Sequence, residues 1–199
     1  MAVSSTESAT DSTAVERNLR LLTIDDLEKM VRLGIIGRDE RVELIGGQIV
    51  RMSATGRRHT WTVIRLCRVF NRRDDVLVSP QSTLEIQEGI GPEPDIAVIR
   101  ADADPMHRVS ARTALLVIEV ADTSLAHDRY TKAPLYAQAG IPEYWIVDLN
   151  GDRIEVYREP SEAGYRLSRL HLRGESLSPL FAPDLTVDVD AVLGPPEEA

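Results

Sequence analysis

Cysteine is nearly absent from this sequence, which holds only Cys67 among its 199 residues. A single thiol cannot close a disulfide within the chain. This excludes the disulfide-stapled secreted scaffolds and makes a cytoplasmic location the expectation. Cys67 falls on the apolar side of a helical pattern, a position typical of a buried structural thiol.

Long apolar runs are also missing. No run approaches the roughly 18 residues that a transmembrane helix needs, so no contact with a membrane is expected. The first residues, MAVSSTESATDSTAVER, lack the basic start and apolar centre of a signal peptide. Their Ser, Thr and Ala content predicts a disordered tail over residues 1–18, and residues 194–199 form a second polar tail. Residues 19–193 are long enough for a single domain with its own core.

An excess of positive charge is missing as well, since the net charge is −9. Binding of nucleic acid through overall charge is therefore not indicated, and a surface for it must be local. Residues 57–73 offer one, with six arginines and no acid on a helical pattern. A phosphate-binding surface and an ordinary solvated helix face account for these charges equally well. The nucleic-acid contacts predicted by the first interpretation are Arg58, Arg65, Arg68 and Arg72.

Lysine is scarce, because all but two of the 23 Lys and Arg residues are arginine. The two are Lys29 and Lys132. Arginine cannot give up its proton, whereas lysine is a compact charge whose pKa moves readily. Lys132 lies in the stretch from Leu115 to Asp148, which is the most informative part of the sequence.

What the sequence does hold is a series of short strands and helices. A helix follows Thr23 and ends at Gly34, and a hairpin with a Gly46-Gly47 turn occupies residues 42–52. After the helix of residues 57–73, the strand candidates are residues 76–86, with an interruption near Pro80, and residues 94–100, 114–121, 143–149, 153–159 and 164–172. Residues 181–194 are expected to be irregular. This order predicts an α/β or α+β domain, in which helices flank a mixed central sheet.

A further helix is predicted between the strands at residues 114–121 and 143–149. Pro134 must lie in its first turn, because an interior proline would break it, and Gly140 ends it. Lys132 then also sits in the first turn, where its charge has the wrong sign for the helix dipole. A nearby cluster of acids, or a bound phosphate, would remove that objection. Asp128 is expected to cap the helix or to pair with the lysine.

Glu119 is the residue that most needs an explanation, because it lies inside the apolar strand ALLVIEVA. An unpaired buried carboxylate costs several kcal/mol or shifts its pKa, roughly, so partners are expected. Asp95 opens the preceding strand and can converge with Glu119 if the two strands are neighbours. Two close carboxylates share a proton or bind a cation such as Mg²⁺. Glu43 lies in the early hairpin, where the local sequence alone favours an exposed carboxylate at a sheet edge.

At this point the residues resemble a known family. Pro94-Asp95, then Glu119 and a nearby lysine, look like the PD-(D/E)xK nuclease superfamily. The stretch VIEVADTSLAHDRYTKAPLYAQAGIPEYWIVDL is similar to the Uma2 family of restriction-endonuclease-like proteins, also called DUF820. VELIGGQIVRM and RIEVYREP match the same family's pattern. The resemblance covers about residues 21 to 190.

The resemblance implies a restriction endonuclease-like core with an extra N-terminal hairpin and C-terminal strands, and hydrolysis of DNA phosphodiesters. It implies that Asp95, Glu119 and Glu43 bind Mg²⁺ or Mn²⁺, with Lys132 as a further catalytic residue. The lysine of the superfamily should lie two residues after Glu119, but Ala121 occupies that position. The resemblance then implies that Lys132, on the following helix, takes the place of this lysine. A homodimer is an expectation only.

Two other interpretations remain open. The fold could serve as a nucleic-acid-binding or protein-interaction module with weak or no turnover. Alternatively, the acids are purely structural and are satisfied by arginines such as Arg129. Four further polar residues are placed away from the chemistry: Glu93 and His59 are expected at the periphery of the site, and His107 and His127 on the surface.

Overall fold

The computed structural model describes residues 19–37 and 39–195. The predicted tail of residues 1–18 lies outside them, as do residues 196–199 of the predicted C-terminal tail. The helices are α1 Ile24–Arg32, α2 Arg57–Phe70, α3 Leu125–His127, α4 Ala133–Gln138 and α5 Val189–Leu193, with a π-helical turn at Asp128–Lys132. The strands are β1 Val42–Ile45, β2 Gln48–Arg51, β3 Val76–Pro80, β4 Ile96–Arg100, β5 Ala114–Ala121, β6 Glu143–Asp148, β7 Arg153–Ser161, β8 Gly164–Leu172, β9 Ser176–Leu177 and β10 Val187–Asp188.

Six strands form the central sheet in the order β3-β4-β5-β6-β7-β8. The strands β5 and β6 are parallel, and the other neighbouring pairs are antiparallel. The parallel pair requires a crossover connection, which the helical segment of residues 125–138 provides. The predicted mixed α+β architecture with flanking helices is therefore confirmed.

The alternation of side chains along β5 separates two layers of core. Leu116, Ile118 and Val120 belong to an apolar cluster that includes α2 residues and the C-terminal segment. Val117 and Ala121 belong to a second cluster, which contains residues of α4. Because alternate residues of a strand share one face, Glu119 points to the same side as Val117 and Ala121 and faces the layer of α4. No helix in the described part of the chain is both long and apolar enough to cross a membrane.

The N-terminal hairpin docks against the sheet domain through backbone bonds. Gly46 and Gly47 both have positive φ, 58° and 72°, which is the conformation of the tight hairpin turn that their pairing predicted. Leu44 of β1 exchanges backbone hydrogen bonds with Gly91, at 3.1 and 2.8 Å. The helix α1 begins with a capping box between Thr23 and Asp26. These contacts fix the orientation of β1, which carries Glu43.

Two predictions about secondary structure are wrong. The crossover helix begins at Leu125 rather than near residue 130, so Lys132 lies inside the helical segment and not in its first turn. Pro134 is tolerated there because a π turn precedes it: the Ala133 N–H bonds to the Asp128 carbonyl, five residues back. The segment of residues 181–194, expected to be irregular, contains β10 and α5. Val187 and Val192 there join the main core.

Candidate active site

A cavity of about 280 Å³ opens where β5, the helical segment of residues 125–138, the start of α2 and the N-terminal hairpin meet. Its charged and polar lining includes Arg41, Glu43, His59, Asp95, Glu119, Asp122, His127, Asp128 and Lys132. The three acids and the lysine predicted for the site, Glu43, Asp95, Glu119 and Lys132, therefore line one cavity, although they come from three separate parts of the chain. Because β5 is flanked on both sides in the sheet, its carboxyl end supplies a rigid floor for this cavity.

Glu119 is 3% exposed and receives both of its hydrogen bonds on one oxygen. The Lys132 Nζ lies 3.0 Å from Glu119 Oε1, and the Tyr136 hydroxyl donates to the same oxygen at 2.8 Å. Burial raises the pKa of Glu119 to about 8, against the lowering effect of the lysine, and the charges of Asp95 and Asp128 raise it further. Burial therefore disfavours the charged form of this carboxyl group, and a further cation in the cavity would favour it.

Lys132 joins two carboxylates. Its Nζ lies 3.0 Å from Glu119 Oε1 and 3.0 Å from Glu43 Oε2, and its side chain is 3% exposed. Burial lowers the pKa of the lysine, but the negative charges of Glu119 and Glu43 outweigh burial and raise it. The lysine is thus held as a cation between acids from the hairpin and the sheet. The position occupied by Ala121 in β5 is buried in the second apolar cluster.

Glu43 is buried, so its exposed-edge interpretation is wrong and its predicted orientation toward the site is correct. Its Oε1 lies 3.0 Å from His127 Nε2, and its Oε2 accepts from the backbone N–H of Glu93 at 3.3 Å. Burial raises the pKa of Glu43, but the bonds from His127 and Lys132 outweigh burial, and the net pKa is lowered. Glu43 therefore stays charged. His127, expected on the surface, instead closes one side of the cavity.

Asp95 directly precedes β4 and is 4% exposed. Its Oδ2 accepts from the Val120 backbone N–H at 2.8 Å and lies 3.0 Å from His59 Nε2. Its other oxygen, Oδ1, is buried without a partner among the described residues. His59 was expected at the periphery but is 5% exposed and contacts Asp95 directly. The orphaned Oδ1 is the one acidic oxygen of the site that the described protein leaves buried and unsatisfied.

Asp128 completes the acidic lining. Ser124 donates to its Oδ2 at 2.6 Å, and burial raises its pKa despite that bond. The predicted pairing of Asp128 with Lys132 is an electrostatic one, because the lysine acts on the pKa of Asp128 without a direct bond between the two in the described structure. Its own N–H bonds to the Ser124 carbonyl at 3.0 Å, which begins the helical segment.

The remaining predicted residues lie outside this cluster. Glu93 contributes its backbone N–H to Glu43, while its side chain pairs with Arg41 at 3.3 Å. Arg129 pairs with Glu155 of β7 and not with an acid of the cavity. His107 is exposed, as expected, and bonds to Asp104 in the loop before β5.

The four arginines predicted to contact nucleic acid do not share one surface. Arg58 pairs with Asp152 at 2.6 Å, and Arg65 donates to the Leu193 carbonyl of α5 at 3.4 Å, so both are tied to neighbouring elements. Arg68 and Arg72 are exposed. Cys67 is half-buried against the main core, and burial raises the pKa of its thiol.

A divalent cation fits the residues at the floor of the cavity. The unsatisfied Asp95 Oδ1 is an oxygen ligand of the kind that Mg²⁺ prefers, and Glu119 has a second oxygen that neither of its donors reaches. Mg²⁺ needs only one or two carboxylates, the rest of its shell being water and phosphate oxygens. Glu43 as a third ligand stays a prediction. No group of three or more His, Cys, Asp or Glu in residues 19–37 and 39–195 is arranged to hold a metal.

Three residues of the site were missed from the sequence, namely His59, His127 and Tyr136. Tyr136 follows Lys132 by four residues, so on a helix the two share a face, and this spacing could have identified it. The histidines gave no such signal. They lie 36 and 84 residues from their acidic partners, a separation that only the fold brings to contact.

Known proteins resemble the chain in both sequence and fold. The pattern of the Uma2 family, described as "Putative restriction endonuclease", matches residues 24–190. A crystal structure of a "putative nuclease belonging to DUF820" from Anabaena variabilis has a TM-score of 0.66 and 16% identity, over 86% of this chain and 97% of that one. No curated protein sequence matches. The family pattern spans both layers of the core and every acid of the cavity, and the chain belongs to the Uma2 family.

Proposed function

We propose that the chain is a metal-dependent endonuclease that hydrolyses DNA phosphodiester bonds in the cavity described above. The observation that carries the proposal is the joint placement of Lys132, Glu119 and Asp95. The lysine is held 3.0 Å from Glu119, and Asp95 lines the same cavity with an oxygen that lacks a partner. The family's nuclease description supports the same reaction class.

Asp95 and Glu119 are the residues that would hold Mg²⁺ or Mn²⁺. When bound there, such an ion supplies Lewis-acid polarisation of a phosphoryl oxygen and activation of water. Lys132 contributes a fixed positive charge close to the same point, which favours the negative charge that builds on the phosphate. Tyr136 and Glu43 restrict the positions of Glu119 and Lys132, so the groups need little reorganisation.

The histidines act through the acids they contact. His59 and the Val120 N–H hold one oxygen of Asp95, which leaves the other directed to a ligand. His127 holds one oxygen of Glu43. In both cases an imidazole orients a carboxylate, a role that metal sites and catalytic sites commonly give to outer-shell groups.

A test compares nicking of supercoiled plasmid DNA by wild type, Asp95→Ala and Lys132→Ala, with Mg²⁺ and with Mn²⁺. Loss of one preorganised charge from the site is expected to slow nicking at least about 100-fold. The chain's only other lysine, Lys29, is exposed on α1, so Lys29→Ala is a matched control that should retain wild-type activity. Equal activity, or equal inactivity, of wild type and both site variants across these metals contradicts the proposal.

A second candidate function is binding without turnover on the same fold. It is favoured by the bonding of Lys132 to two carboxylates, since a lysine so engaged has less freedom to meet a substrate. DNA binding by a wild-type protein that nicks no plasmid with either metal would select this alternative.

A further inference from the structure

The exposed side of α2 carries an apolar stripe among its arginines. Arg57, Trp61, Ile64 and Arg68 are all exposed and follow one another at spacings of four, three and four residues. Residues at these spacings lie on one face of a helix. Trp61 is 52% exposed and Ile64 is 47% exposed, in the middle of the stripe. Arg65 is not part of this stripe, because its side chain turns toward α5 and donates to the Leu193 carbonyl.

Charge on this stripe is uncompensated within the structure. Arg57, Arg68 and the neighbouring Arg72 form no ion pair with any acid of residues 19–37 or 39–195. Arg58 and Arg73, by contrast, pair with aspartates at 2.6 to 3.1 Å. In a chain of net charge −9, two free guanidinium groups on the stripe and a third at the neighbouring Arg72, beside an exposed indole, are complementary to an anion with flat apolar parts.

The stripe begins at the mouth of the proposed active site. His59, in the first turn of α2, lines the cavity and contacts Asp95, and Thr55 lines the cavity just before the helix. From Arg57 to Arg68 the stripe extends about 16 Å at 1.5 Å per residue, a length that a few nucleotides of one strand can follow. His59 belongs to the buried side of α2, so a strand that leaves the cavity reaches the stripe by passing around the N-terminal end of the helix to its solvent side.

We infer that this stripe, Arg57, Trp61, Ile64 and Arg68, binds a single-stranded segment of the nucleic acid whose phosphodiester enters the cavity. The inference rests on the proposed function for the location of the scissile bond. The guanidinium groups meet phosphates, and an unpaired base stacks on the indole of Trp61. Stacking on an exposed aromatic requires an unpaired base face, which the interior of a duplex does not offer.

The chain provides its own optical readout of this contact. Its two tryptophans differ in exposure, since Trp61 is 52% exposed and Trp145 is fully buried. A base stacked on Trp61 therefore quenches the accessible part of the fluorescence and leaves Trp145 unaffected. The titration uses the full chain in EDTA, with an oligothymidylate or a random duplex, each about 15 units long, so that binding is measured without cleavage.

The oligothymidylate is expected to quench Trp61 and to bind more tightly than the duplex. Trp61→Ala should weaken that binding about tenfold or more, measured by anisotropy of a labelled oligonucleotide, and Trp61→Phe should restore most of it. Arg68→Ala should reduce the slope of log affinity against log salt by about 0.7. Leu170→Ala and Arg166→Ala, exposed residues on β8, are matched controls expected to bind like wild type.

Three results overturn the inference. These are equal binding by Trp61→Ala and Leu170→Ala, duplex affinity equal to or above that of the single strand, and full competition by polyglutamate, which would indicate an acidic protein partner. The outcome is separable from that of the proposed function. If the protein nicks plasmid but its binding does not depend on Trp61, only the inference about the stripe fails. If binding depends on Trp61 but no nicking occurs, only the proposed nuclease function fails.

Discussion

Glu119 and Glu155 are two buried carboxylates in the same row of the sheet, and their pKa values are shifted in opposite directions. Both are 3% exposed, and both are register partners of Ile146, one from each side. Their cations come from one helical turn, Lys132 for Glu119 and Arg129 for Glu155. Yet burial raises the pKa of Glu119 to about 8, whereas the pKa of Glu155 is lowered.

The difference lies in how completely each carboxylate is bonded. Burial raises the pKa of Glu155, but Arg129 meets both of its oxygens and Tyr157 donates to Oε2 at 2.7 Å, so the charged form is favoured overall. Glu119 receives two donors on one oxygen and lies near two further acids. A fork of arginine nitrogens satisfies a carboxylate, while a lysine leaves one side of it open. The open carboxylate is the one that lines the cavity.

The largest effect expected from this comparison is on catalysis. Glu119→Gln should slow plasmid nicking at least about 100-fold, because the neutral amide cannot supply the negative charge that the site needs. Glu155→Gln should leave nicking within about threefold of wild type, as for a residue outside the reacting groups. Similar losses in both variants, measured on equally folded protein, would show that the two acids do not differ in role.

The next effect concerns stability. Lys132→Ala removes the cation between Glu43 and Glu119 and is expected to lower the free energy of unfolding by about 3–5 kcal/mol, the usual cost of breaking a buried pair. Lys29→Ala, on the exposed face of α1, should change it by no more than about 0.5 kcal/mol. Urea unfolding at neutral pH measures both. Indistinguishable midpoints for these two variants would mean that Lys132 does not hold the site together.

The pH dependence of stability should have opposite signs for the two acids. The pKa of Glu119 is raised from 4.5 to about 8, so its contribution is fully present below 4.5 and is lost as pH rises to about 8. Glu155, with a lowered pKa, contributes stability above its unfolded value of 4.5 that is lost in acid. The slope for either group alone is at most about 1.4 kcal/mol per pH unit.

Unfolding midpoints in EDTA across pH 4 to 9, compared between wild type and each glutamine variant, separate these contributions. Glu119→Gln should remove a decline above about pH 4.5, and Glu155→Gln should remove a decline below it. A flat difference between wild type and Glu119→Gln over the upper range is incompatible with the raised pKa.

Much of this arrangement follows from local patterns in the sequence. Period-two alternation along β5 places Glu119 and Ile118 on opposite faces of the sheet. A charge inside an apolar strand requires a partner, and the helical segment that follows carries it. The Gly46-Gly47 pair likewise predicts the hairpin turn, which the positive φ of both glycines confirms. These features depend on neighbours close in sequence, and sequence reasoning recovers them.

Other features depend on the assembled fold. The π turn at Asp128–Lys132 allows Pro134 to lie within a continuous helical segment. No periodicity in that stretch predicts this turn. The bond from His127 to Glu43 joins the crossover to the hairpin across 84 positions. Residues 181–194 were expected to be irregular, although Leu185, Val187 and Val189 alternate with polar residues. The alternating run is short, and it forms β10 where it pairs with β9 and packs Val187 into the main core.

Cation binding is the most direct test, because Glu119 is the carboxylate of the row with an oxygen open to the cavity, whereas both oxygens of Glu155 are bonded. Calorimetric titration with Mn²⁺ should be made on wild type, Glu119→Gln and Glu155→Gln at one pH. The expected result is binding by wild type and Glu155→Gln with equal affinity, and an affinity at least about tenfold weaker in Glu119→Gln. Equal and negligible binding by wild type and Glu119→Gln, or equal binding by all three proteins, would contradict the assignment of the cavity as a metal-dependent active site.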